Sequence, residues 1–227
     1  MDSNHKVNTM LIASGGGTDA NAIMEAYSGG FIPNISLKKL ISTKYGAGCL
    51  EKADKHNIET LVIDRKECGL GGFNRLLLAE RIKLDCKLVF LVGCIVRVAP
   101  IVRVTIYNIH PAEIKNFGGD GMYGLTVHKR VLLQILDLIH RGRKSIDDRF
   151  FTYPTVHEVI SDLEYDSGEP LLVGSVEIPK SIIYNAFHKK VSLEESAELL
   201  QKEVLPYEWM MLPTAVKMAA NKIICNL

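Results

Sequence analysis

Two polar side chains near the middle of the chain are of types that stabilise an oxyanion and transfer protons. Asn108 and His110 stand two residues apart in the segment Tyr-Asn-Ile-His-Pro, directly behind a run of β-branched residues. Side chains two apart on a strand share one face, which places an amide donor beside an imidazole that titrates near neutrality. The spacing predicts a catalytic pair at a strand end, although an Asn beside a His is also typical of a structural hydrogen-bonded pair.

A carboxylate that can complete this pair lies further along the chain. Asp166 stands in an acidic turn, Glu-Tyr-Asp-Ser-Gly-Glu-Pro, which follows the strand-like segment Thr-Val-His-Glu-Val. A carboxylate near a histidine can orient the imidazole or move protons through water. Asp166 therefore favours the catalytic interpretation of Asn108 and His110.

Three consecutive glycines, Gly15 to Gly17, separate an apolar segment from the start of a helical pattern. Glycine lets backbone N–H groups approach an anion, and a helix N-terminus adds free N–H groups and a favourable dipole end. The spacing fits neither a Walker A loop nor the G-x-G-x-x-G motif, so it gives no support for a nucleoside triphosphate or a dinucleotide. The loop is interpreted either as a cradle for a monophosphate or as a tight strand-to-helix turn.

The elements that must position these residues alternate between short β-branched runs and longer helical patterns. This alternation predicts an α/β fold with a Rossmann-like, mostly parallel central sheet flanked by helices. The predicted strands cover 7–14, 36–43, 59–64, 87–93 and 104–110, and the predicted helices between them cover 18–29, 48–57 and 73–83. Thr18 or Asp19 is expected to cap the first helix. Asn108 and His110 then fall at the carboxyl end of a strand, where open α/β sheets bind their ligands.

The second half of the chain predicts a helix, a late antiparallel strand pair and a long C-terminal helix. The helix covers 125–142, the strands cover 155–161 and 170–179, and the last helix covers 192–224. Ser192, three residues before Glu195, is a capping signature, while Pro206 and Pro213 are expected to kink or divide the helix. With no internal repeat and no linker, we predict a single domain over 1–227.

Composition excludes several classes of function. Lys plus Arg is 27 against 26 for Asp plus Glu, and a net charge of +1 gives no broad field for holding nucleic acid. No apolar run reaches the length of about 20 residues that spans a bilayer. The first residues lack the pattern of a signal peptide, so a cytoplasmic protein is expected. The five scattered cysteines predict buried free thiols, with a metal or catalytic role as the alternative.

Four motifs in a fixed order carry a resemblance that covers nearly the whole chain. They are Ser-Gly-Gly-Gly-Thr-Asp-Ala-Asn after the first strand, Asn-Ile-His-Pro after the fifth, Thr-Val-His-Glu-Val followed by Tyr-Asp-Ser-Gly-Glu-Pro, and Tyr-Glu-Trp-Met-Met-Leu-Pro in the last helix. Together they resemble the glycinamide ribonucleotide formyltransferases of the folate-dependent formyltransferase family. The resemblance implies transfer of a formyl group from 10-formyltetrahydrofolate to the amine of glycinamide ribonucleotide in purine biosynthesis. It also implies a small phosphate-bearing substrate, no metal, no nucleic-acid or membrane partner, and a monomer or homodimer.

The same resemblance implies a role for each matching residue. Asn108 would stabilise the oxyanion, His110 would assist it and shuttle a proton, and Asp166 would hold the water that relays the proton. His157 would support the site, although a core histidine is an equal interpretation. The residues implied to bind the substrate are Gly15, Gly16, Gly17, Thr18 and Glu208, and those implied to bind folate are Val92, Ile95, Arg97, Val98 and His157. The phosphate-binding half would cover about 1–105, and the folate-binding and catalytic half about 106–227.

The sequence departs from the family pattern in three places. Glu113 and Lys115 follow the Asn-His pair where apolar residues are usual, and Val96, not Arg97, matches a frequent folate-contacting arginine. The segment before Asp166 is longer than usual, which leaves the position of the carboxylate open. These departures leave two alternatives open: an N-formyltransferase for another amine, such as a nucleotide-linked amino sugar, and a divergent folate- or nucleotide-binding protein with little activity.

A glycine-rich segment after the Asn-His pair has two interpretations. Residues 118–124 read Gly-Gly-Asp-Gly-Met-Tyr-Gly. They form either a crossover into the next helix or a loop that closes over the substrate amine, since glycine-rich segments beside a site commonly gate it. The second interpretation places Met122, Tyr123 and His128 near the site.

Overall fold

A seven-stranded sheet forms the centre of the molecule. The computed structural model describes residues 5–161 and 164–226. The strands are β1 Val7–Ala13, β2 Ile35–Ser42, β3 Thr60–Val62, β4 Leu88–Leu91, β5 Thr105–His110, β6 Phe151–Thr152, β7 Thr155–Glu158, β8 Pro170–Val173 and β9 Val176–Glu177. The sheet order is β3-β2-β1-β4-β5-β7-β8, and β6 pairs with β9 in a separate two-stranded sheet. The first five strands of the large sheet run parallel, whereas β7 and β8 join antiparallel.

The chain order of the strands creates a switch point beside β1. From β1 the chain moves outward to β2 and β3, then returns to place β4 and β5 on the other side of β1. The loops that leave β1 and β4 diverge there and open a crevice at the carboxyl edge of the sheet. The predicted fold class, with its mostly parallel sheet and late antiparallel strands, is confirmed.

Helices cover the sheet. They are α1 Thr18–Ser28, α2 Gly48–Lys55, α3 Arg65–Lys83, α4 Ile114–Phe117, α5 Leu125–His140, α6 Lys180–Phe187 and α7 Leu193–Cys225. The sequence pattern missed α6 and the first turns of α3. Asp64 caps α3 by accepting the Lys66 N–H, and Gly69 then breaks the helical geometry, so periodicity shows only in the second part. Among the described residues, no helix is long and apolar enough to cross a membrane.

The expectation that Thr18 or Asp19 caps α1 is wrong. Gly17 is the N-cap, with φ of 72°, and no side chain caps this helix. A side chain at position 17 would collide with Cys49, because the starts of α1 and α2 are packed together. The close approach and the left-handed backbone both require glycine at this position.

The C-terminal helix begins where the capping signature predicts. Ser192 and Glu195 form a reciprocal capping box at the start of α7. Pro206 and Pro213 lie inside α7 but do not divide it, because buried residues on both sides of each proline pack into the core. The helix contacts α1 and α5, so it closes one side of the crevice.

All five cysteines are free thiols. Cys49 and Cys86 are buried, Cys68 and Cys94 are partly buried, and Cys225 is exposed. The prediction of free thiols is therefore confirmed, whereas full burial holds for Cys49 and Cys86 but not for the other three.

Candidate functional site

A cavity of about 350 Å³ opens at the carboxyl edge of the sheet. Its walls are the segment after β4, the end of β5, the glycine-rich segment 119–124, the segment 158–161 with 164–167, and one face of α7. Asn108, His110 and Asp166 all line this cavity. Strand alternation puts Asn108 and His110 there together, as the sequence predicts.

Sheet register brings a histidine to this pair. In the antiparallel pairing of β5 with β7, Asn108 lies directly opposite His157. The amide nitrogen of Asn108 is 3.4 Å from His157 Nε2 and 3.4 Å from Asp166 Oδ1. His157 is nearly fully buried, with 1% of its surface exposed, yet it faces the cavity. The structure therefore supports the interpretation of His157 as part of the site.

The Asp166 carboxylate is the centre of the cluster. Oδ1 lies 3.2 Å from His157 Nε2, and Oδ2 lies 3.6 Å from His110 Nδ1 and accepts the Gly119 N–H at 3.1 Å. Asp166 adopts a left-handed backbone with φ of 51°, which its short polar side chain tolerates. A Cβ at Gly118 would lie 2.8 Å from the Asp166 Cβ, so glycine there lets the carboxylate enter. With the longer preceding segment, the Asp166 carboxylate thus lies 3.6 Å from His110 and 3.2 Å from His157.

Hydrogen bonding fixes which nitrogen of His110 faces the carboxylate. His110 Nε2 lies 2.8 Å from the Phe117 carbonyl oxygen, and since a carbonyl only accepts, Nε2 carries a proton. Nδ1 therefore faces Asp166 with a lone pair when the ring is neutral. His157 Nδ1 lies 3.1 Å from the Glu158 carbonyl oxygen and its Nε2 lies 3.2 Å from Asp166 Oδ1, so both nitrogens must carry a proton for the ring to donate to both oxygens.

The cluster holds a neutral imidazole next to an ionised carboxylate. Burial would raise the pKa of Asp166, but the hydrogen bond from His157, the charge of His110 and the Gly119 N–H outweigh it and lower that pKa below 3.8. Burial lowers the pKa of His110, with His157 adding to the effect and Asp166 and the Phe117 carbonyl opposing it. At neutral pH the arrangement offers an acceptor at His110 Nδ1 and a fixed negative charge at Asp166.

Two further carboxyl groups face the same cavity from the side of α1 and α7. Asp19 lies in the first turn of α1 and Glu208 in the middle of α7, and both are buried. Burial raises the pKa of Asp19 to about 6, partly opposed by a hydrogen bond with Trp209. Burial and the charge of Asp19 raise the pKa of Glu208 well above 4.5. No group of three or more His, Cys, Asp or Glu side chains within the described ranges is arranged to hold a metal ion.

Comparisons with known proteins identify relatives in sequence and in fold. No protein-family model matches the chain. It is 30% identical over 192 residues, 82% of its length, to the chloroplastic phosphoribosylglycinamide formyltransferase of Arabidopsis thaliana, and 28% identical over 167 residues, 71% of its length, to that of Vigna unguiculata. The chain spans 60% and 48% of the length of these two relatives. The crystal structure of glycinamide ribonucleotide transformylase 1 from Symbiobacterium toebii superposes with a TM-score of 0.74 over 97% of this chain and 90% of that one, at 22% identity.

The chain resembles phosphoribosylglycinamide formyltransferases in sequence and in fold. The family resemblance expected from the four ordered motifs is thereby confirmed.

Four of the five predicted folate-binding residues line the cavity. Ile95, Arg97, Val98 and His157 line the cavity, whereas Val92 is buried in the hydrophobic core at the end of β4. Val96, which matches the family arginine, is buried with 7% of its surface exposed. Arg97 instead lies over the Tyr165 ring, 4.3 Å from its centroid. The arginine of this chain therefore contacts the segment that carries Asp166.

The glycine loop lies beside the cavity at the N-terminus of α1. Gly15 and Gly16 have open space where a Cβ would project, so packing does not require glycine at either position. The Lys52 ammonium group on α2 donates to the Gly16 carbonyl at 2.8 Å. Free space, a helix N-terminus and a nearby cation favour the cradle interpretation over a tight turn for the first two glycines.

The structure also shows where the glycine-rich segment 118–124 and the two departing residues Glu113 and Lys115 lie relative to the cavity. Met122, Tyr123 and His128 all line the cavity, so the glycine-rich segment forms part of its wall. Burial and the charge of His110 lower the pKa of His128 to about 4. Glu113 and Lys115 do not line the cavity, so the departure from the family pattern at these residues lies outside its wall.

Sequence reasoning missed Asp19 and Lys52 as site residues. Asp19 was assigned only a capping role, yet it faces the cavity because Gly17 takes the cap position. Lys52 reaches the glycine loop because the start of α2 packs on Gly17. An acidic residue two positions after a glycine cluster was the signal available for Asp19, whereas Lys52 depends on helix packing and gave no local signal.

Proposed function

We propose that the chain transfers a formyl group from 10-formyltetrahydrofolate to the amine of glycinamide ribonucleotide, a reaction of purine biosynthesis. The contact of Asn108, His110 and His157 with Asp166 at one wall of the cavity carries this proposal. Transfer of a formyl group to an amine needs a donor for the developing oxyanion and an acceptor for the amine proton. The cluster supplies both.

Each residue of the cluster has a separable task. The Asn108 amide donates to the formyl oxygen as negative charge develops there. His110 Nδ1 accepts a proton, because its Nε2 is held by the Phe117 carbonyl. Asp166 stabilises the resulting imidazolium and holds the water through which the proton moves. His157 and the Gly119 N–H hold Asp166 ionised and in place.

The reaction conserves atoms and charge across these groups. The amine nitrogen forms a bond to the formyl carbon, and the bond from that carbon to the folate nitrogen breaks. One proton leaves the amine nitrogen, and one proton reaches the folate nitrogen. His110, Asp166 and the water between them are the route for this proton.

The cavity suits the two proposed ligands. Ile95, Val98 and Val159 give an apolar wall against which a flat ring system can lie, and about 350 Å³ is within the range of small-molecule sites. When bound there, 10-formyltetrahydrofolate supplies the formyl carbon. On the other side, Gly15 to Thr18 and Lys52 would hold the phosphate of the ribonucleotide, and Glu208 would contact its ribose.

The two alternative functions have less support. An acceptor such as a nucleotide-linked amino sugar was motivated by Glu113 and Lys115, which do not line the cavity. A binding protein with little activity was motivated by a displaced Asp166, which instead lies within hydrogen-bonding distance of His157. Glycinamide ribonucleotide therefore remains the acceptor that the site supports best.

The proposal includes the organisation and surroundings of the chain. We expect one domain over 1–227, with the phosphate-binding half at about 1–105 and the folate-binding and catalytic half at about 106–227. We also expect a monomer or homodimer in the cytoplasm, acting without nucleic acid or a membrane. Both plant relatives are named as chloroplastic, so microscopy of a fluorescently tagged chain in its own cells tests the compartment.

A turnover assay tests the proposed activity. The purified chain, 10-formyltetrahydrofolate and glycinamide ribonucleotide should produce tetrahydrofolate and the formylated ribonucleotide, measured by absorbance and by mass spectrometry. A parallel reaction contains an amino-sugar nucleotide as the only acceptor. No product with glycinamide ribonucleotide would sink the proposal, and turnover with the amino sugar alone would establish the alternative acceptor. Binding of folate with no turnover of either acceptor would establish the binding protein.

A further inference from the structure

The Asp19 carboxyl group is an unexplained polar group in the wall of the cavity. Asp19 is 9% exposed, and among the residues that the structure describes its Oδ1 has no hydrogen-bond partner. Trp209 on α7 hydrogen-bonds the carboxyl group, and the charge of Asp19 raises the pKa of the neighbouring Glu208. A buried polar atom without a partner is costly, so its persistence at a ligand cavity points to a partner that arrives with the ligand.

Electrostatics determine what this partner can be. Asp19 and Glu208 are both buried in the same wall, and within the described ranges neither forms an ion pair with a Lys, Arg or His side chain. Two neighbouring buried carboxyl groups without a cation cannot both ionise, so the pair keeps a proton. Burial accordingly raises the pKa of both groups. A pair that keeps one proton offers oxygens that accept hydrogen bonds and one O–H that donates.

Position along the cavity narrows the choice of ligand group. Asp19 directly follows the proposed phosphate cradle at Gly15 to Thr18, and it lines the same cavity as Asn108 and His110. A substrate with its phosphate at the cradle and its amine at Asn108 must place its middle part against Asp19 and Glu208. That part is neutral and carries hydroxyl groups in a ribonucleotide, and hydroxyls both donate and accept.

We propose that Asp19 is a specificity-determining residue that, paired with Glu208, binds the sugar hydroxyls of the substrate between the phosphate cradle and the Asn108–His110 cluster. This inference rests on the proposed function for the identity of the sugar. It adds Asp19 to the residues proposed to recognise the substrate, and it treats the carboxyl groups of Asp19 and Glu208 as one binding unit. The unit selects ribose over sugars that lack a hydroxyl, because a missing hydroxyl leaves the buried pair without its partner.

Binding of two sugar phosphates tests the inference without requiring turnover. The probes are ribose 5-phosphate and 2-deoxyribose 5-phosphate, and their dissociation constants are measured by calorimetry. The proteins are the wild type, Asp19→Ala, Asp19→Asn and the matched control Asp147→Ala, which removes an exposed carboxylate that does not line the cavity. Asp19→Asn keeps the shape, one donor and one acceptor, so it also serves if the alanine variant does not fold.

The expected result is a loss of discrimination at position 19 only. The wild type and Asp147→Ala should favour the ribose compound by about 10-fold, since one hydrogen bond to a buried group contributes about that factor. Asp19→Ala should reduce the preference to about 2-fold or less, while Asp19→Asn should keep most of it. No preference in the wild type, no binding of either probe, or equal weakening of both probes by Asp19→Ala would overturn the inference.

The same samples separate this inference from the proposed function. Each variant and the wild type are also assayed with glycinamide ribonucleotide and 10-formyltetrahydrofolate. Wild-type discrimination without turnover would refute formyl transfer while supporting the sugar-binding pair. Turnover without discrimination would refute the pair and leave formyl transfer intact.

Discussion

Two groups of carboxyl residues face one cavity and differ in their protonation. Both are shielded from solvent, since 8% of the Asp166 side chain is exposed and Asp19 is buried. Asp166 is surrounded by His110, His157 and the Gly119 N–H, and its pKa is lowered by these partners despite burial. Asp19 faces Glu208, and burial raises its pKa to about 6.

The difference teaches that burial alone does not decide the protonation state of an acid. Burial opposes ionisation at both positions, and only donors and cations at close range reverse it. The cavity thus contains an ionised carboxylate on the proposed catalytic side and, on the proposed substrate side, a pair of carboxyl groups that keeps one proton. Pairs of acids whose surroundings separate their pKa values commonly divide acid and base roles in this way.

Removing the ionised carboxylate should give the largest effect. Asp166→Asn keeps the side-chain shape but cannot stabilise an imidazolium or accept the relayed proton. We expect kcat for formyl transfer to fall by about 10²–10⁴-fold, the usual contribution of a positioned acid–base group. Steady-state kinetics with both substrates measure this.

Asp147→Asn is the matched control for that substitution. It removes an exposed carboxylate outside the cavity and should leave kcat within about 2-fold, as expected for a surface substitution. A kcat in Asp166→Asn equal to that of the control would contradict the assignment of Asp166 as the catalytic carboxylate.

Loss of the amide donor should follow in size. Asn108→Ala removes the group proposed to donate to the developing oxyanion, and removing one such donor commonly lowers kcat by about 10²–10³-fold. Because the donor acts in the transition state, kcat should fall while KM for glycinamide ribonucleotide stays nearly constant. A rise in KM with an unchanged kcat would instead assign Asn108 to ground-state binding.

The catalytic side of the comparison was readable in the sequence, and the substrate side was not. Asn108 and His110 share a face through strand alternation, and Asp166 follows a recognisable turn, so local patterns predicted all three. Asp19 depends on how α1 packs against α7, which no local pattern contains. The kink at Gly69 and the unbroken helix through Pro206 were missed for the same reason, because tertiary packing overrides local propensity there.

Neutralising Asp19 should raise stability at and above neutral pH. A carboxyl whose pKa is raised in the folded state stabilises the fold below its unfolded value near 3.8, and this contribution is lost as pH rises through about 6. The shift in the pKa of Asp19 corresponds to at most about 3 kcal/mol of unfolding free energy, and this energy belongs to Asp19 and Glu208 together. Asp19→Asn should therefore show a smaller loss of unfolding free energy between pH 4 and pH 8 than the wild type, as measured by urea denaturation.

Asp166→Asn should have the opposite sign in the same experiment. The pKa of Asp166 is lowered in the folded state, so its stabilising contribution is present above the unfolded value and is lost as pH falls through the folded one. The variant should lose stability at pH 7 relative to the wild type. If both variants changed stability at pH 7 in the same direction, the contrast between the two clusters would be refuted.

The smallest expected effect tests how the ionised side is held in place. Arg97 lies over the ring of Tyr165, the neighbour of Asp166, so the stacked pair should steady the segment that carries the carboxylate. A partly exposed cation–π contact contributes about 0.5–1 kcal/mol, which corresponds to about 2–5-fold in kcat.

A mutant cycle measures this contribution, and it consists of Arg97→Ala, Tyr165→Leu and the double variant. Tyr165→Phe is the control that keeps the ring. Both single variants should lower kcat by a similar factor, the double variant should add little, and Tyr165→Phe should resemble the wild type. If the losses of kcat in the two single variants multiplied in the double variant, Arg97 would not act through Tyr165 to steady Asp166. If Arg97→Ala raised only KM for folate, Arg97 would contact folate directly.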